Sequence, residues 1–337
     1  MRCRCAMKAQ VLHTVQSIES RPLVSESVAD PVLGPDDVLV RVKACGVCHS
    51  NLHMIEGDWG VPSKLPIIPG HEIAGVVEAV GSGVKAWRVG QRVGVQVLHD
   101  TCRQCEYCLT GRENLCLSRN MTGETLDGGY AELVKAPWDF SCARPASLGF
   151  EEAAPLFCPG VTAYRAVKRA GVRPGQKVGV IGIGGVGHMS LQFARLAGGE
   201  VVAVDRLEGQ LELARELGAD HVVPAGEFEE FVSKTGKLDV VMVHAPSQQA
   251  VDQAMKAVKR GGTVLMAVVG NIRVSFADEH TIIGSVIGSR MDMIETSKLA
   301  GKRKVQVKWQ GFKLEEANDV LLRLKRGEIV GRAVLIP

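Results

Sequence analysis

Lys177-Val-Gly-Val-Ile-Gly182-Ile-Gly184-Gly185-Val186-Gly187-His-Met-Ser-Leu-Gln-Phe-Ala-Arg195, followed by Glu200-Val-Val-Ala-Val-Asp205, is the stretch that decides the fold. The apolar run 178–181 has the continuous hydrophobicity of a parallel strand buried on both faces. Glycines follow at once, and a helical pattern starts near Val186, with Leu191, Phe193, Ala194 and Ala197 available for burial. The second strand closes on Asp205, eighteen residues after Gly187. Strand, glycine turn, helix and strand form a dinucleotide-binding unit. Gly182, Gly184, Gly185 and Gly187, with Val186 among them, allow a tight turn and bring backbone N–H groups close to a pyrophosphate. Asp205 is placed to accept from the adenosine ribose hydroxyls and to repel a 2′-phosphate, which predicts NAD over NADP. Arg206, directly after it, is the residue that could tolerate the extra phosphate.

Outward from this unit, strands are expected at 201–204, 240–243, 264–268 and 282–287, with helical patterns between them at 211–217 and 250–258. That alternation predicts an α/β domain with a doubly wound parallel sheet. Upstream, residues 7–150 read as β-rich. Short apolar or alternating runs such as 37–43 and 73–80 are separated by Gly34-Pro-Asp-Asp37, Gly81-Ser-Gly83 and Asp127-Gly-Gly129. The tail, helical from Leu314 and strand-like after Gly331, is expected to return to this first domain. The predicted division is therefore 1–159 with 294–337, and 160–293.

Two groups of metal-ligand residues lie in the first domain. Cys102-Arg-Gln-Cys105-Glu-Tyr-Cys108, closed by Cys116, offers four thiols at spacings of two, two and seven residues. Four thiolates close a tetrahedral shell around Zn²⁺ with no open position, which predicts a structural ion. Two disulfides are the alternative, and the reduced state of cytosolic thiols weighs against them. The second group is scattered: Cys45-Gly-Val-Cys48-His49-Ser50-Asn51-Leu-His53, then Gly70-His71-Glu72, then Cys158. Such a set suits a catalytic zinc, which keeps one position free. Taken singly, Cys158 and His71 also fit ordinary core roles, and Cys45 with Cys48 also fits a redox pair.

Composition narrows the rest. The chain has 337 residues, 46% of them apolar, and a net charge of +3. That charge is too small to argue for nucleic acid or an anionic membrane, and no apolar run reaches the ~18 residues of a membrane span. The start, Met1 to Lys8, lacks the apolar core of a signal peptide. It reads as a short tail carrying Cys3 and Cys5. A cytoplasmic location is expected.

These motifs, in this order, resemble the zinc-dependent alcohol dehydrogenases of the medium-chain dehydrogenase/reductase family, in particular the bacterial and archaeal NAD-dependent tetrameric type. The resemblance runs almost end to end. It includes Ala-Cys-Gly-Val-Cys-His-Ser at 44–50, Gly-Asp-Trp at 57–59, Pro-Gly-His-Glu at 69–72, the four-cysteine lobe and Asp-Gly-Gly-Tyr-Ala-Glu at 127–132. It continues through Cys-Pro-Gly-Val-Thr-Ala-Tyr at 158–164 to Gly-Arg-Ala-Val-Leu near the end. It implies a GroES-like catalytic domain joined to a Rossmann domain. It implies two Zn²⁺ per chain, NAD, a small alcohol or aldehyde as substrate, and a homotetramer or a dimer.

Residue by residue, the resemblance makes Cys48, not Cys45, a ligand of the catalytic zinc with His71 and Cys158. Glu72 lies beside the metal as an exchanging ligand, and Arg332 pairs with it. Ser50 and His53 match a proton relay. His49, Thr162, Val268, Ser289 and Arg290 match positions that touch the cofactor, while Trp59 and Leu98 match the substrate pocket. Three positions depart from the family's pattern. Asn51 replaces an aspartate behind the ligand histidine, where its amide oxygen is expected to accept from the imidazole without supplying charge. Val97 replaces a tryptophan, and Gln210 a lysine. The implied activity is reversible hydride transfer from a zinc-polarised alcohol to NAD. An NADP-dependent aldehyde reductase and a non-catalytic zinc- and nucleotide-binding protein are the alternatives.

Overall fold

The computed structural model describes residues 6–62 and 64–337. Cys3 and Cys5 lie outside the described residues. The chain divides into two units, one of Met1–Cys158, Gly288–Lys302 and Val307–Pro337, the other of Pro159–Ile287 and Arg303–Gln306.

In the first unit the sheet order is Trp309–Lys313, Arg332–Ile336, Asp37–Gly46, Glu72–Val80, Arg92–Val95 and Ser141–Ala143, and Leu133–Pro137 also pairs with the Asp37–Gly46 strand. Asp37–Gly46 shows why the β reading works. Val38, Val40 and Val42 are buried while the residues between them are not, the period of two that a strand with one core face requires. The expected return of the C-terminal tail is borne out, since Val334 and Leu335 pair with Gly46 and Cys45. The core beneath is aliphatic, with Leu12, Ile18, Ile55, Ile67 and Ile73 fully buried. Gly94 leaves room for the ring of Phe157, which would collide with any Cβ there. Phe157 thus docks on the sheet and carries Cys158 with it.

The second unit is a six-stranded parallel sheet in the order His221–Pro224, Glu200–Asp205, Lys177–Ile181, Leu238–Val243, Val258–Met266 and Thr281–Gly284. That is the doubly wound order whose direction of winding reverses beside Lys177–Ile181, where ligands bind at the strands' carboxyl ends. The predicted α/β class is borne out. The strand His221–Pro224 was not anticipated. It is four residues long and ends on proline, too short to show a period. Thr281–Gly284 stops short of the expected 287 and is an edge strand. No helix of the described residues is long and apolar enough to cross a membrane.

Candidate metal centres and nucleotide site

The four-cysteine lobe is compact. Cys102 Sγ lies 3.9 Å from Cys108 Sγ and 3.6 Å from Cys116 Sγ, and Cys105 Sγ lies 3.5 Å from Cys108 Sγ. A tetrahedral shell with Zn–S bonds of ~2.3 Å has edges of about 3.8 Å, so these thiols already stand at zinc spacing. All four are free, and the disulfide alternative is not realised. Backbone N–H groups of Gln104 and Cys105 lower the Cys102 thiol to about 6, which favours the thiolate that a metal needs.

The scattered set also converges. The ligand atoms of Cys48, His71, Glu72 and Cys158 all lie within 4.8 Å of one another. Cys48 caps the start of the His49–Glu56 helix, and His71 directly precedes the Glu72–Val80 strand that Glu72 opens. Cys48 Sγ and Cys158 Sγ are 3.8 Å apart, again the edge of a zinc tetrahedron. Their hydrogen bond lowers the Cys48 thiol well below its usual value and raises Cys158. Cys45 is fully buried and its thiol is pushed far up by that burial. It lies outside the converging set, which leaves the redox-pair reading without support.

Glu72 is held away from free ligation. Arg332 Nε donates to Glu72 Oε2 at 3.1 Å, and Arg332 Nη2 donates to Oε1. Burial nevertheless raises the carboxyl to about 7. Gly46 makes the pair possible, because a Cβ at that position would collide with the Glu72 carboxylate.

Around these ligands stand the relay candidates. Ser50 Oγ lies 3.4 Å from His71 Nε2. His53 Nδ1 lies 2.6 Å from Asp58 Oδ2, an acid that the sequence reading did not single out. The rings of His49 and Trp59 flank His53, with centroids at 5.9 Å and 5.0 Å. Trp59 is exposed, whereas Leu98 is fully buried and has no surface to offer a substrate, contrary to the pocket role expected of it. Val97, at the expected tryptophan position, is buried as well.

Asn51 also departs from expectation. Its Oδ1 accepts from the Cys48 N–H at 3.2 Å and from the Tyr130 hydroxyl at 3.1 Å. Two donors thereby fix the carboxamide, and its Nδ2, not its oxygen, faces His71 Nδ1 at 3.4 Å. A neighbouring acid that sequence reasoning missed, Glu124, places Oε1 3.9 Å from the same Nδ1.

In the second unit the glycine turn has the form a nucleotide needs. Gly182 adopts φ 93°, a Cβ on Gly187 would collide with the Gly182 carbonyl, and a Cβ on Gly184 would meet only open space. The turn leads into the Gly187–Leu196 helix, whose N-terminal N–H groups favour an anion. Asp205 Oδ2 accepts from Ile183 N–H at 2.7 Å, and Oδ1 accepts from Arg206 and Leu207 N–H at 2.7 and 3.0 Å. The acid therefore braces the turn and still has lone pairs for ribose hydroxyls. Arg206 is exposed beside it, Thr162 and Val268 are half-buried, and Gln210 is buried.

Ser289 and Arg290, expected to touch the cofactor, are engaged in the first unit. Ser289 caps the Arg290–Gly301 helix, its Oγ donating to Asp292 Oδ2 at 2.9 Å. Arg290 Nη2 and Nη1 donate to Glu113 Oε2 at 3.0 Å and Asp139 Oδ2 at 3.1 Å, with the guanidinium over the Phe140 ring. Arg290 thereby ties this helix to Glu113 of the cysteine lobe, a use that spacing alone did not signal.

Comparisons with known proteins cover nearly the whole chain. Residues 34–146 match the alcohol dehydrogenase GroES-like domain, and residues 185–302 match the zinc-binding dehydrogenase domain. A Geobacillus stearothermophilus protein named alcohol dehydrogenase is 42% identical over 338 residues, 98% of this chain and 99% of that protein. The crystal structure of the alcohol dehydrogenase from the hyperthermophilic archaeon Aeropyrum pernix superposes with a TM-score of 0.89 at 36% identity, covering 98% of this chain and 100% of that one. A cobalt- and zinc-bound thermostable alcohol dehydrogenase from Pyrobaculum aerophilum gives 0.90 at 30% identity, with the same coverage.

Proposed function

Because the chain belongs to the zinc-binding alcohol dehydrogenase family, and is thus an oxidoreductase acting on alcohols, we propose that it oxidises primary alcohols, and secondary or aromatic ones, reversibly with NAD. The observation that carries this reading is the convergence of Cys48, His71 and Cys158, with the two sulfurs 3.8 Å apart, beside a carboxylate already neutralised by Arg332. Three protein ligands leave the fourth position of a tetrahedral ion for substrate. The four-cysteine lobe would hold a second ion with no open position.

Zn²⁺ at the three-ligand site would supply Lewis acidity of the kind that lowers the pKa of bound water from ~15.7 to ~7. The protein's own groups do the rest. Arg332 keeps Glu72 from competing for the metal in the resting arrangement. Ser50, beside His71, would accept the alcohol's proton while releasing its own toward the cofactor ribose. His53 relays it: with Nδ1–H donating to Asp58, its Nε2 is the free acceptor. NAD, when bound, would supply the nicotinamide ring that accepts the alcohol's hydride; the turn at Gly182, Gly184, Gly185 and Gly187 would bind its pyrophosphate and Asp205 its ribose. His49, Thr162 and Val268 remain as further cofactor contacts, and Trp59 as the pocket's aromatic wall. NADP is the second reading, favoured by the exposed Arg206 directly after Asp205.

The protein is proposed to work in the cytoplasm as a homotetramer or dimer. The assembly reading is supported by an apolar stretch of the second unit, where Val269 and Phe276 are 95% and 96% exposed beside the edge strand Thr281–Gly284. Initial rates of NADH and NADPH formation with primary, secondary and aromatic alcohols test the activity. Turnover with NAD exceeding that with NADP by an order of magnitude is expected. No turnover by protein carrying two zinc ions per chain would refute it.

A further inference from the structure

The pairing of Glu124 with His71 deepens the catalytic-zinc reading, on which it rests. An imidazole that gives one nitrogen to a metal carries its proton on the other, and that N–H needs an acceptor. His71 is fully buried and presents Nε2 to Ser50 and Nδ1 to Asn51 and Glu124. Asn51 cannot be the acceptor. Its oxygen is already committed to the Cys48 N–H and the Tyr130 hydroxyl, and turning the carboxamide over would set its NH₂ against the Cys48 N–H, which can only donate. What it offers His71 Nδ1 is a further donor. Glu72 turns its carboxylate to Arg332, and the carboxylate within ion-pair range of His71 Nδ1 is that of Glu124.

Glu124 remains. We propose that its carboxylate accepts the Nδ1–H of His71 in the metal-loaded enzyme, and so supplies the negative charge behind the ligand histidine that the uncharged Asn51 does not. At 3.9 Å the two groups are within ion-pair range, and the hydrogen bond requires Glu124 to move closer by about 1 Å. The backbone is shaped to bring it there. Gly123, at φ 71°, lies so close to Gly70 that a Cβ would stand 2.6 Å from the Gly70 nitrogen. The turn therefore rests directly on the residue before His71. Hydrogen bonds from Gly123 N–H to Leu126 O (2.8 Å), Glu124 N–H to Met121 O (3.2 Å) and Gly128 N–H to Ile68 O (2.7 Å) hold it. Glu124 is a positioning residue: it acts through His71 and raises the basicity of the metal-binding nitrogen.

The test is zinc affinity, read by competition with a chromophoric chelator on the purified holoenzyme, with thermal unfolding measured alongside. Glu124→Gln keeps the shape and removes the charge. It is expected to weaken the more labile of the two zinc sites by about 10–100-fold, the usual effect of losing such a partner, and to leave the four-cysteine ion in place. Asn51→Asp in the same protein puts a carboxylate against Nδ1 from the other side and is expected to restore affinity to within a few-fold of wild type. Unchanged affinity in Glu124→Gln would overturn the proposal. So would a loss that Asn51→Asp fails to restore, since that marks a role in loop structure alone. Wild-type protein that holds only one zinc ion per chain would overturn the catalytic-zinc reading itself, and this proposal with it.

Discussion

Arg332 and Glu72 meet over Gly46, the residue whose missing side chain gives their ion pair its space. Both partners are almost wholly shielded from water, at 4% and 0% exposure. Breaking such a pair leaves a buried charge with no partner, which costs roughly 3–5 kcal/mol, whereas removing both partners together can be nearly neutral. Arg332→Leu should therefore destabilise strongly in urea unfolding, and Glu72→Leu combined with Arg332→Leu should recover most of the loss. A single variant as stable as wild type would show that the pair contributes nothing to folding.

The cysteine lobe makes a separate prediction. Cys102→Ser removes one of four thiolates and should lower the zinc count from two per chain to one. A structural ion present ~1,000-fold above its Kd stabilises by about 4 kcal/mol, so its loss should lower Tm by about 6 °C in a chain of this length. Calorimetry with metal analysis checks this. An unchanged Tm in protein lacking the ion would remove the structural role.

Two glycines of the nucleotide turn should separate binding from folding. Gly184 faces open space, so Gly184→Ala should unfold like wild type yet bind NAD about tenfold more weakly, its methyl group standing where the pyrophosphate approaches. Gly187→Ala drives a methyl group into the Gly182 carbonyl and should cost roughly 1–3 kcal/mol by overpacking. Cofactor titration and thermal unfolding of both variants decide it. Equal NAD affinity in Gly184→Ala and wild type would move the pyrophosphate elsewhere.

How far the sequence revealed these features depended on distance along the chain. The glycine turn and the four-cysteine lobe were legible because each is local: the ligand groups lie within some fifteen residues and the spacing itself carries the chemistry. Cys48, His71 and Cys158 are far apart: residue types alone suggested a catalytic zinc set but left other roles open, and the choice of Cys48 over Cys45 was legible only through the resemblance. Glu124, Asp58 and Glu113 carry no local signal at all. Each is an ordinary acid until folding sets it beside a histidine or an arginine. The orientation of Asn51 was misjudged for the same reason, since the hydroxyl that helps fix it comes from Tyr130, 79 positions away. Arg290 and Ser289 were read as cofactor contacts because their position in the motif order says nothing of the acids that claim them.

His99 sets an acid limit on stability. The ring is buried, and its Nδ1 lies 3.3 Å from the Thr122 hydroxyl oxygen. That hydroxyl donates its own proton to the Gln96 carbonyl at 2.8 Å, so its oxygen accepts from a neutral imidazole with hydrogen on Nδ1. Burial lowers the group from 6.5 to about 4. Between those values the unfolded chain binds a proton that the folded chain refuses, so the unfolded state gains as pH falls. The stability in question is fully present above pH 6.5 and is lost as pH drops toward 4. From pH 6.5 to 5 the loss should be about 2 kcal/mol, at 1.36 kcal/mol per unit. Protonation of the metal ligands adds a slope of its own, and the comparison with His99→Gln cancels it. That variant should be less stable than wild type at pH 7.5, and its deficit should shrink by about 2 kcal/mol at pH 5. Parallel stability curves for the two proteins would show that His99 takes up its proton as readily folded as unfolded.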